Sequence, residues 1–269
     1  MCRLYVFRST EETKVECTLV HAQNALMAQS RRDRAGYSHA HGWGLVTYEH
    51  GRPKLERQAW AAYHGEHFSR AAGATWSTTV LAHVRRATVG KPRIENTHPF
   101  VDGMLSFAHN GTLPQFDVLR SRLLEETSAV QREAIDGETD SEHLFRHLLS
   151  MRESEPHLSL ADTLRRVVSN VERWVDSLQG SPKVGLNLVL TDGEEVAGTR
   201  WGRTLYRVER EGVYDCEICG FPHIHTLPDR SHRAVVLASE PITHEPWVEI
   251  PERTAWTIGP AAELEIEPL

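Results

Sequence analysis

The sequence predicts an α+β fold, because its apolar pattern changes twice along 269 residues. Short β-favouring apolar runs come first, helical periodicity follows over residues 114–178, and short apolar runs separated by turns return from residue 184. Strands followed by helices and then by strands are typical of stacked layers rather than of βαβ units. The sequence contains no internal repeat and no low-complexity linker, so residues 1–269 are expected to form a single domain.

Ten runs of mainly apolar and β-favouring residues are predicted to be strands. They lie at residues 3–8, 45–48, 79–84, 104–108, 185–191, 195–201, 204–210, 234–239, 247–250 and 255–258. Asp192-Gly193 lies between two of these runs and is typical of a hairpin turn. Asn96–Phe100 is expected to form another turn.

Helical periodicity predicts helices at residues 19–30, 114–127 and 159–178, and a further helix that opens at residues 137–142. Thr139 and Glu142 match a capping box at the start of that further helix. Asp140 is therefore favourable there for the helix dipole whether or not it binds a ligand. The charged run Arg31–Arg34 is expected to be a solvated loop.

Composition limits the classes of partner and compartment. The net charge of −7 and the pI near 6.1 leave no basic stripe, so no nucleic-acid partner is expected. No apolar run approaches the roughly 18 residues of a membrane span, and Arg3 interrupts any signal peptide, so we expect a cytoplasmic protein. The four cysteines are too few for a disulfide framework and are expected to be reduced.

Cys2 stands directly behind the initiator methionine, at the leading edge of the first predicted strand. Because cysteine has a small side chain, aminopeptidase trimming is expected to remove Met1 and to leave Cys2 at the N-terminus. The freed α-amino group would have a pKa of about 7.7–8.0, close to that of a thiol near 8.5, and could act as its general base. On residue type alone, the favoured interpretation of Cys2 is a small apolar residue that opens a strand, and only the segments downstream change this.

Polar residues at the ends of two predicted strands suit substrate binding. One of Arg85 and Arg86 can point into a pocket beside its strand, where its guanidinium could bind a carboxylate through two parallel hydrogen bonds. Asn110-Gly111 is either a tight turn or an oxyanion hole, in which the Asn amide and the next backbone N–H converge on one oxygen.

Histidines and cysteines suggest two metal sites. His39 and His41 would share one side of an extended segment, but packing or hydrogen bonding is favoured because no third ligand lies nearby. Zinc could bind at a second group, made of a Cys-x2-Cys pair and two histidines soon after it: Cys216, Cys219, His223 and His225. The alternative is a reduced pair of thiols on a loop.

Six segments in a fixed order resemble the class II glutamine amidotransferases, which are N-terminal nucleophile hydrolases. They are Met1-Cys2, His41–Leu45, Ala82–Gly90, Glu95–Phe100, Phe107–Gly111 and Gly137–Glu142, and the similarity returns at residues 238–243 with Trp247. They look most like the stand-alone YafJ-like branch, which includes γ-glutamyl hydrolases. The resemblance implies a four-layer αββα sandwich, with the active site in residues 2–150 and with residues 184–260 completing the sheets.

The resemblance also implies a role for each site residue. Cys2 would be the nucleophile, with Asn110 and Gly111 as its oxyanion hole. Arg85 would bind the α-carboxylate of the substrate, and Asp140 its α-ammonium group. A γ-glutamyl thioester would form and be released by water, with no cofactor required.

Three functions stay open from sequence. The first is a stand-alone hydrolase of glutamine or of another γ-glutamyl amide, which would bind only a small-molecule substrate. The second is an ammonia-supplying subunit of a separate synthase. The third is a non-catalytic, zinc-binding interaction module. A homodimer is compatible with each function, and the group attached to the γ-glutamyl unit is not specified by the sequence.

Overall fold

The structure, a computed structural model, describes residues 2–180, 183–224 and 232–269. The strands are β1 Arg3–Lys14, β2 Trp43–Glu49, β3 Arg52–Gln58, β4 Trp76–Val84, β5 Phe100–Asp102, β6 Leu105–Thr112, β7 Gly185–Thr191, β8 Val196–Arg200, β9 Tyr206–Glu211, β10 Arg233–Ala238, β11 Val248–Glu249, β12 Thr254–Ile258 and β13 Leu264–Pro268. The helices are α1 Leu26–Arg31, α2 His67–Gly73, α3 Phe116–Glu125, α4 Ala129–Glu133, α5 Asp140–Ser154 and α6 Leu160–Val175, and a π-helical turn covers Cys17–His21.

Within the described residues the strands form two sheets. Sheet A has seven strands in the order β11-β9-β10-β1-β4-β2-β3, and sheet B has six in the order β13-β12-β8-β7-β6-β5. All the pairings are antiparallel. Strands from both ends of the chain pair with each other, since β1 lies between β10 and β4.

The alternation of side chains along β1 explains the layers. Leu4 and Val6 belong to a cluster between the two sheets, whereas Tyr5 and Phe7 belong to a cluster under the π-helical turn, α1 and α2. A third cluster buries sheet B against α3, α5 and α6. The order of layers is therefore helices, sheet A, sheet B and helices, which is the αββα sandwich that the resemblance implied.

The predicted strand at residues 104–108 is longer in the structure, and this corrects the reading of Asn110-Gly111 as a tight turn. Strand β6 continues to Thr112, and its pairing with β7 runs from Ser106 to Thr112. The long-range pairing overrides the local turn preference of the Asn-Gly pair. Asn110 and Gly111 therefore lie in the sheet and not beyond it.

Other differences follow from weak or misleading local patterns. Strand β3 (Arg52–Gln58) was not predicted because it is a largely polar edge strand. The predicted helix at residues 19–30 is divided into the π-helical turn and α1.

Asp192-Gly193 does join two paired strands, β7 and β8, as predicted. None of the helices found in the described residues is long and apolar enough to cross a membrane.

Candidate active site

The Cys2 thiol lies where β1 meets the end of β4. Arg3, the next residue, pairs with Val84 in the ladder between these strands. The backbone N–H of Arg86 donates to Cys2 Sγ at 3.4 Å, and the thiol in turn contacts the Arg86 carbonyl oxygen at 3.6 Å. The half-buried thiol is thus held at the edge of the central sheet.

The surroundings of Cys2 favour the neutral thiol. Burial raises the pKa of the Cys2 thiol, and the negative charge of Asp140 adds to this effect. The hydrogen bond from the Arg86 N–H and the positive charge of Arg85 oppose it. Because the raised pKa keeps the proton on sulfur at neutral pH, a thiolate forms here only when a base takes that proton.

Arg3 ties the backbone of Cys2 to two buried carboxylates. Its guanidinium donates to the Cys2 carbonyl oxygen at 2.9 Å, to Asp33 Oδ2 at 2.5 Å and to Glu240 Oε1 at 2.8 Å. His39 Nε2 lies 2.9 Å from the same oxygen of Asp33. Removing one partner from such a buried network would leave an uncompensated charge, so these contacts are costly to break. They therefore hold the start of β1 in place.

Asp33 corrects one interpretation of the sequence, and His39 and His41 agree with the interpretation that was favoured. Asp33 is buried although it belongs to the charged run Arg31–Arg34, whose arginines are exposed as expected. Burial lowers the pKa of His39 to about 4, so its ring is neutral at pH 7 and donates to Asp33. His41 Nδ1 accepts the Ala87 N–H at 2.9 Å. Both histidines are therefore hydrogen-bonding residues rather than a metal pair.

Asn110 is positioned next to β1 by a serine. Its side-chain amide donates to Ser239 Oγ at 3.2 Å, and the same oxygen accepts the Leu4 N–H at 2.9 Å. Ser239 is therefore the link between the amide of Asn110 and the strand that begins after Cys2. An amide donates two hydrogens, so one N–H of Asn110 remains for a ligand.

Gly111 allows β6 and β7 to approach each other closely. A Cβ atom at this position would overlap the Gly185 carbonyl oxygen and the ring of His109. His109 itself contacts the Gly185 carbonyl oxygen at 2.7 Å and Ser141 Oγ at 2.9 Å. The glycine is thus required by packing at this point of the sheet.

Asp140 is the first residue of α5 and is buried. Its carboxylate accepts the N–H of Leu113 at 2.7 Å and that of Ser141 at 2.9 Å, which holds the helix start against the end of β6. Only one of the two hydrogen bonds of the predicted capping box forms. Thr139 accepts the Glu142 N–H, but the Glu142 carboxylate accepts the N–H groups of residues 136 and 137 instead of that of Thr139.

Of the two candidate arginines, Arg85 is the buried one, with 2 % of its surface exposed. Its guanidinium donates to the carbonyl oxygens of Val89, Gly90 and Lys91. Arg86 lies instead over the ring of Tyr37, at 4.0 Å from the centroid. The alternation of side chains along the strand end therefore places Arg85 and not Arg86 in the interior, whereas the pattern alone predicted only that at most one of them would lie there.

Comparison with known proteins places this arrangement in a family. The profile of the glutamine amidotransferases of class II matches residues 1–261. The chain is a class II glutamine amidotransferase. The predictions of the family and of an enzyme of this kind are confirmed, and the amidotransferase fold agrees with the αββα layers described above.

Relatives and solved structures agree along most of the chain. A probable glutamine amidotransferase of Saccharomyces cerevisiae, DUG3, is 27% identical and is aligned over 96% of this chain and 82% of its own length. The γ-glutamyl-hercynylcysteine sulfoxide hydrolase of Mycobacterium tuberculosis is also 27% identical, over 83% of this chain and 77% of its own. A class II domain protein of Silicibacter pomeroyi shares the fold at a TM-score of 0.65, with 21% identity and 99% coverage of both chains.

Two residues near the site of this amidotransferase were not predicted as site residues, although Ser239 lies in the segment 238–243 that is part of the resemblance. Ser239 lies far from Asn110 in sequence, so no local pattern indicated their contact. Arg203 packs where Gly111 and Gly185 approach each other. Its guanidinium carbon lies 3.0 Å from the point where a side chain added to Gly185 would place its Cβ atom. Arg203 Nε is buried and has no hydrogen-bond partner among the described residues.

The amidotransferase also carries a cysteine-rich cluster away from Cys2. It consists of Cys17, Cys216, Cys219 and His223, whose ligand atoms all lie within 4.8 Å of one another. The predicted group contained three of these residues but not Cys17, which is distant in sequence and comes from the π-helical turn. His225, the remaining member of the predicted group, lies outside the described residues.

Proposed function

We propose that the protein hydrolyses a γ-glutamyl amide through a thioester on Cys2. The observation that carries this proposal is the position of the Cys2 thiol at the edge of the sheet, with the Asn110 amide tied to the same strand through Ser239. Two relatives support the choice of reaction, since one is named a probable glutamine amidotransferase and the other a γ-glutamyl-hercynylcysteine sulfoxide hydrolase. Both are aligned over most of their length.

The chemistry begins with removal of Met1, which frees the α-amino group of Cys2. That amine takes the thiol proton, and the sulfur attacks the γ-carbonyl carbon of the substrate. The carbonyl oxygen becomes an oxyanion, which the Asn110 amide and the Gly111 N–H would stabilise. The C–N bond then breaks, the ammonium group returns its proton to the leaving nitrogen, and a γ-glutamyl thioester remains.

Water completes the cycle. The α-amine of Cys2 takes a proton from the attacking water, and the thioester C–S bond breaks as the thiol recovers its proton. The products are glutamate and ammonia or an amine. Every proton moves between sulfur, the α-amine, water and the leaving nitrogen, so the proposed route needs no cofactor.

Arg85 and Asp140 would bind the amino-acid head of the substrate. A zwitterion requires one cation and one anion held apart, and both residues are buried beside Cys2, whose pKa is affected by both charges. Arg85 already donates three hydrogen bonds to carbonyl oxygens, so its N–H groups that remain would bind the α-carboxylate. Asp140 would accept the α-ammonium group with the oxygen lone pairs that its backbone contacts leave.

The test is release of glutamate from a panel of substrates: glutamine, γ-glutamyl dipeptides, γ-glutamyl alkylamines and α-glutamyl dipeptides as controls. We expect release from at least one γ-linked substrate and none from the α-linked controls. Cys2→Ser should abolish it while the circular-dichroism spectrum stays unchanged. A chain with a processed N-terminal Cys2 that releases glutamate from no γ-linked substrate would contradict the proposal.

A further inference from the structure

Four potential metal ligands converge from two separate parts of the chain. Cys17 opens the buried π-helical turn, and the other three residues lie on the loop between β9 and β10. Cys219 Sγ and His223 Nε2 are 3.1 Å apart, and all four ligand atoms lie within 4.8 Å of one another. Four ligands around zinc at Zn–S distances near 2.3 Å are separated by about 3.8 Å, so only small side-chain movements are needed.

The backbone of the Cys216–Cys219 segment forms a turn that directs the sulfur atoms of both cysteines toward the same point. The Ile218 N–H donates to Cys216 Sγ at 3.4 Å, and the Gly220 N–H donates to the Cys216 carbonyl oxygen at 2.8 Å. Gly220 has a φ of +74°, in the left-handed region that favours glycine. An N–H group directed at a sulfur stabilises the thiolate form and orients it, as outer-shell hydrogen bonds do in metal sites.

The backbone holds both halves of the cluster together. The Lys14 N–H donates to the His223 carbonyl oxygen at 2.8 Å, and Thr13 and Ile224 form an isolated bridge. On the other side, the Ala22 N–H donates to the Cys17 carbonyl oxygen at 2.8 Å and closes the π-helical turn. Such turns are rare and occur frequently at functional sites. The ligands are therefore presented by backbone that is already paired.

The described residues of the β9–β10 loop bury few of their large apolar side chains. Val213, Tyr214, Ile218 and Phe221 are exposed, and Ile224 is partly buried. A segment that buries little apolar surface is commonly held by a metal ion, since binding of the ion contributes directly to folding. The cluster contains none of Cys2, Asn110 and Asp140, so it is separate from the candidate active site.

We propose that Cys17, Cys216, Cys219 and His223 bind one structural zinc ion that fastens the β9–β10 loop to the π-helical turn. Three thiolates and one imidazole in a closed set of four are typical of structural zinc and leave no position for a substrate. Binding converts three thiols into thiolates and releases three protons for each Zn²⁺. The complex has a net charge of −1, with a neutral His223 as its fourth ligand.

The first experiment measures zinc binding to the reduced, full-length protein. After removal of metal with a chelator, Zn²⁺ is added in competition with a chromophoric chelator. We expect about one zinc per chain with a dissociation constant below about 100 nM. Replacing zinc with Co²⁺ should give the intense d–d bands of a tetrahedral site and thiolate charge-transfer bands. Absence of zinc binding, or an octahedral Co²⁺ spectrum, would overturn the proposal.

Variants then test the ligand set. Cys219→Ser changes an exposed side chain and should weaken zinc binding by more than about 100-fold, as should Cys17→Ser and His223→Asn. His21→Asn, on the exposed histidine of the same turn, and Cys2→Ser should bind zinc like the unchanged protein. If Cys17→Ser does not fold, Cys219→Ser alone decides whether the cluster binds zinc.

His225 provides the comparison with the group predicted from sequence. His225→Asn should keep zinc affinity within about threefold, whereas Cys17→Ser should lose it. Removal of zinc with a chelator should lower the melting temperature of the unchanged protein by roughly 5–10 °C. The same chelator should not change the melting temperature of Cys219→Ser. Loss of zinc in His225→Asn but not in Cys17→Ser would refute the proposed ligand set.

Discussion

The two cysteine sites of this molecule show how surroundings decide what a thiol can do. Cys2 lies at a sheet edge, where the Arg86 N–H donates to its sulfur and the charges of Arg85 and Asp140 are nearby. Cys17, in contrast, lies within reach of two other sulfurs and an imidazole, in the cluster with Cys216, Cys219 and His223. An isolated thiol near amide donors suits acyl transfer, whereas several thiols at one point suit a metal ion.

The two regions also differ in how they are held. The start of β1 is fixed by buried polar contacts, namely the bonds of Arg3 with Asp33 and Glu240 and those of Ser239 with Leu4 and Asn110. In the described part of the β9–β10 loop, apolar side chains are exposed, and the ion pair of Glu217 with His244 is not buried. The first region is thus prepared by the protein alone, while the second depends, on our proposal, on an added ion.

The largest expected effect separates the two sites. Cys2→Ser should lower the rate of γ-glutamyl hydrolysis by about 10⁴-fold or more, because it removes the nucleophile. Zinc content and melting temperature should stay unchanged, since Cys2 is outside the cluster. Parallel measurement of glutamate release and bound zinc tests this, and a loss of zinc in Cys2→Ser would break the distinction.

Removal of the oxyanion donor should have the next largest effect. Asn110→Ala is expected to lower kcat by about 10²–10³ with little change in KM, because the missing hydrogen bond acts on the transition state. Steady-state kinetics on the best substrate from the panel measure both constants. Asn170→Ala, on α6, serves as the control and should leave both unchanged. Equal kcat values for the Asn110 variant and the unchanged protein would remove Asn110 from the mechanism.

The charge of Asp140 should act mainly on substrate binding. Asp140→Asn can still accept the Leu113 N–H but loses the negative charge, so KM should rise by roughly 10–100-fold. Substrates that lack the α-ammonium group provide the sharper comparison, because the variant and the unchanged protein should handle them alike. An equal loss on both kinds of substrate would indicate a structural role instead.

Ser239→Ala should have a smaller effect, because it acts through Asn110. Loss of the hydrogen bond of about 1 kcal/mol that positions the amide should lower kcat by about fivefold. Combining it with Asn110→Ala should add little further loss, since the residue it positions is then absent. Full additivity in this double-mutant cycle would show that Ser239 acts independently.

The last prediction concerns stability in acid rather than activity. Burial lowers the pKa of His39 to about 4, below its ordinary value near 6.5, so the unfolded chain binds the proton first as pH falls. The stability from this group is complete above pH 6.5 and is lost as pH falls through 4. Between pH 7.5 and pH 5, urea unfolding should show about 2 kcal/mol more loss for the unchanged protein than for His39→Gln. Equal losses of unfolding free energy in the unchanged protein and in His39→Gln would contradict the lowered pKa of His39.

Local patterns predicted much of the fold and the residues of the candidate site. Strand β7 (Gly185–Thr191) was predicted at its observed bounds because it is a mainly apolar run that ends at a turn, and α6 was recognised by its apolar face. Strand β3 was missed because its polar residues carry no burial pattern. The site residues were identified from the family resemblance, and their roles stay predictions.

Contacts between residues that are far apart in the chain could not be predicted from the sequence. Ser239 follows β10, which pairs with β1 in sheet A, and it approaches Asn110 because β1 packs against β6 of sheet B. Cys17 approaches Cys216 because the turn after β1 meets the β9–β10 loop. Asp33 was assigned to a solvated run because nothing nearby in sequence reveals its contact with Arg3. Each of these pairs forms only when distant segments pack together.

The most direct test of the difference between the thiols is labelling of the zinc-loaded protein with 6-diazo-5-oxo-norleucine, a glutamine-like electrophile, followed by intact and peptide mass measurement. Our account predicts one adduct for each chain, on an N-terminal Cys2 from which Met1 has been removed. Cys17, Cys216 and Cys219 should remain unmodified. Labelling of any of these three cysteines, or a processed but unmodified Cys2, would contradict the account.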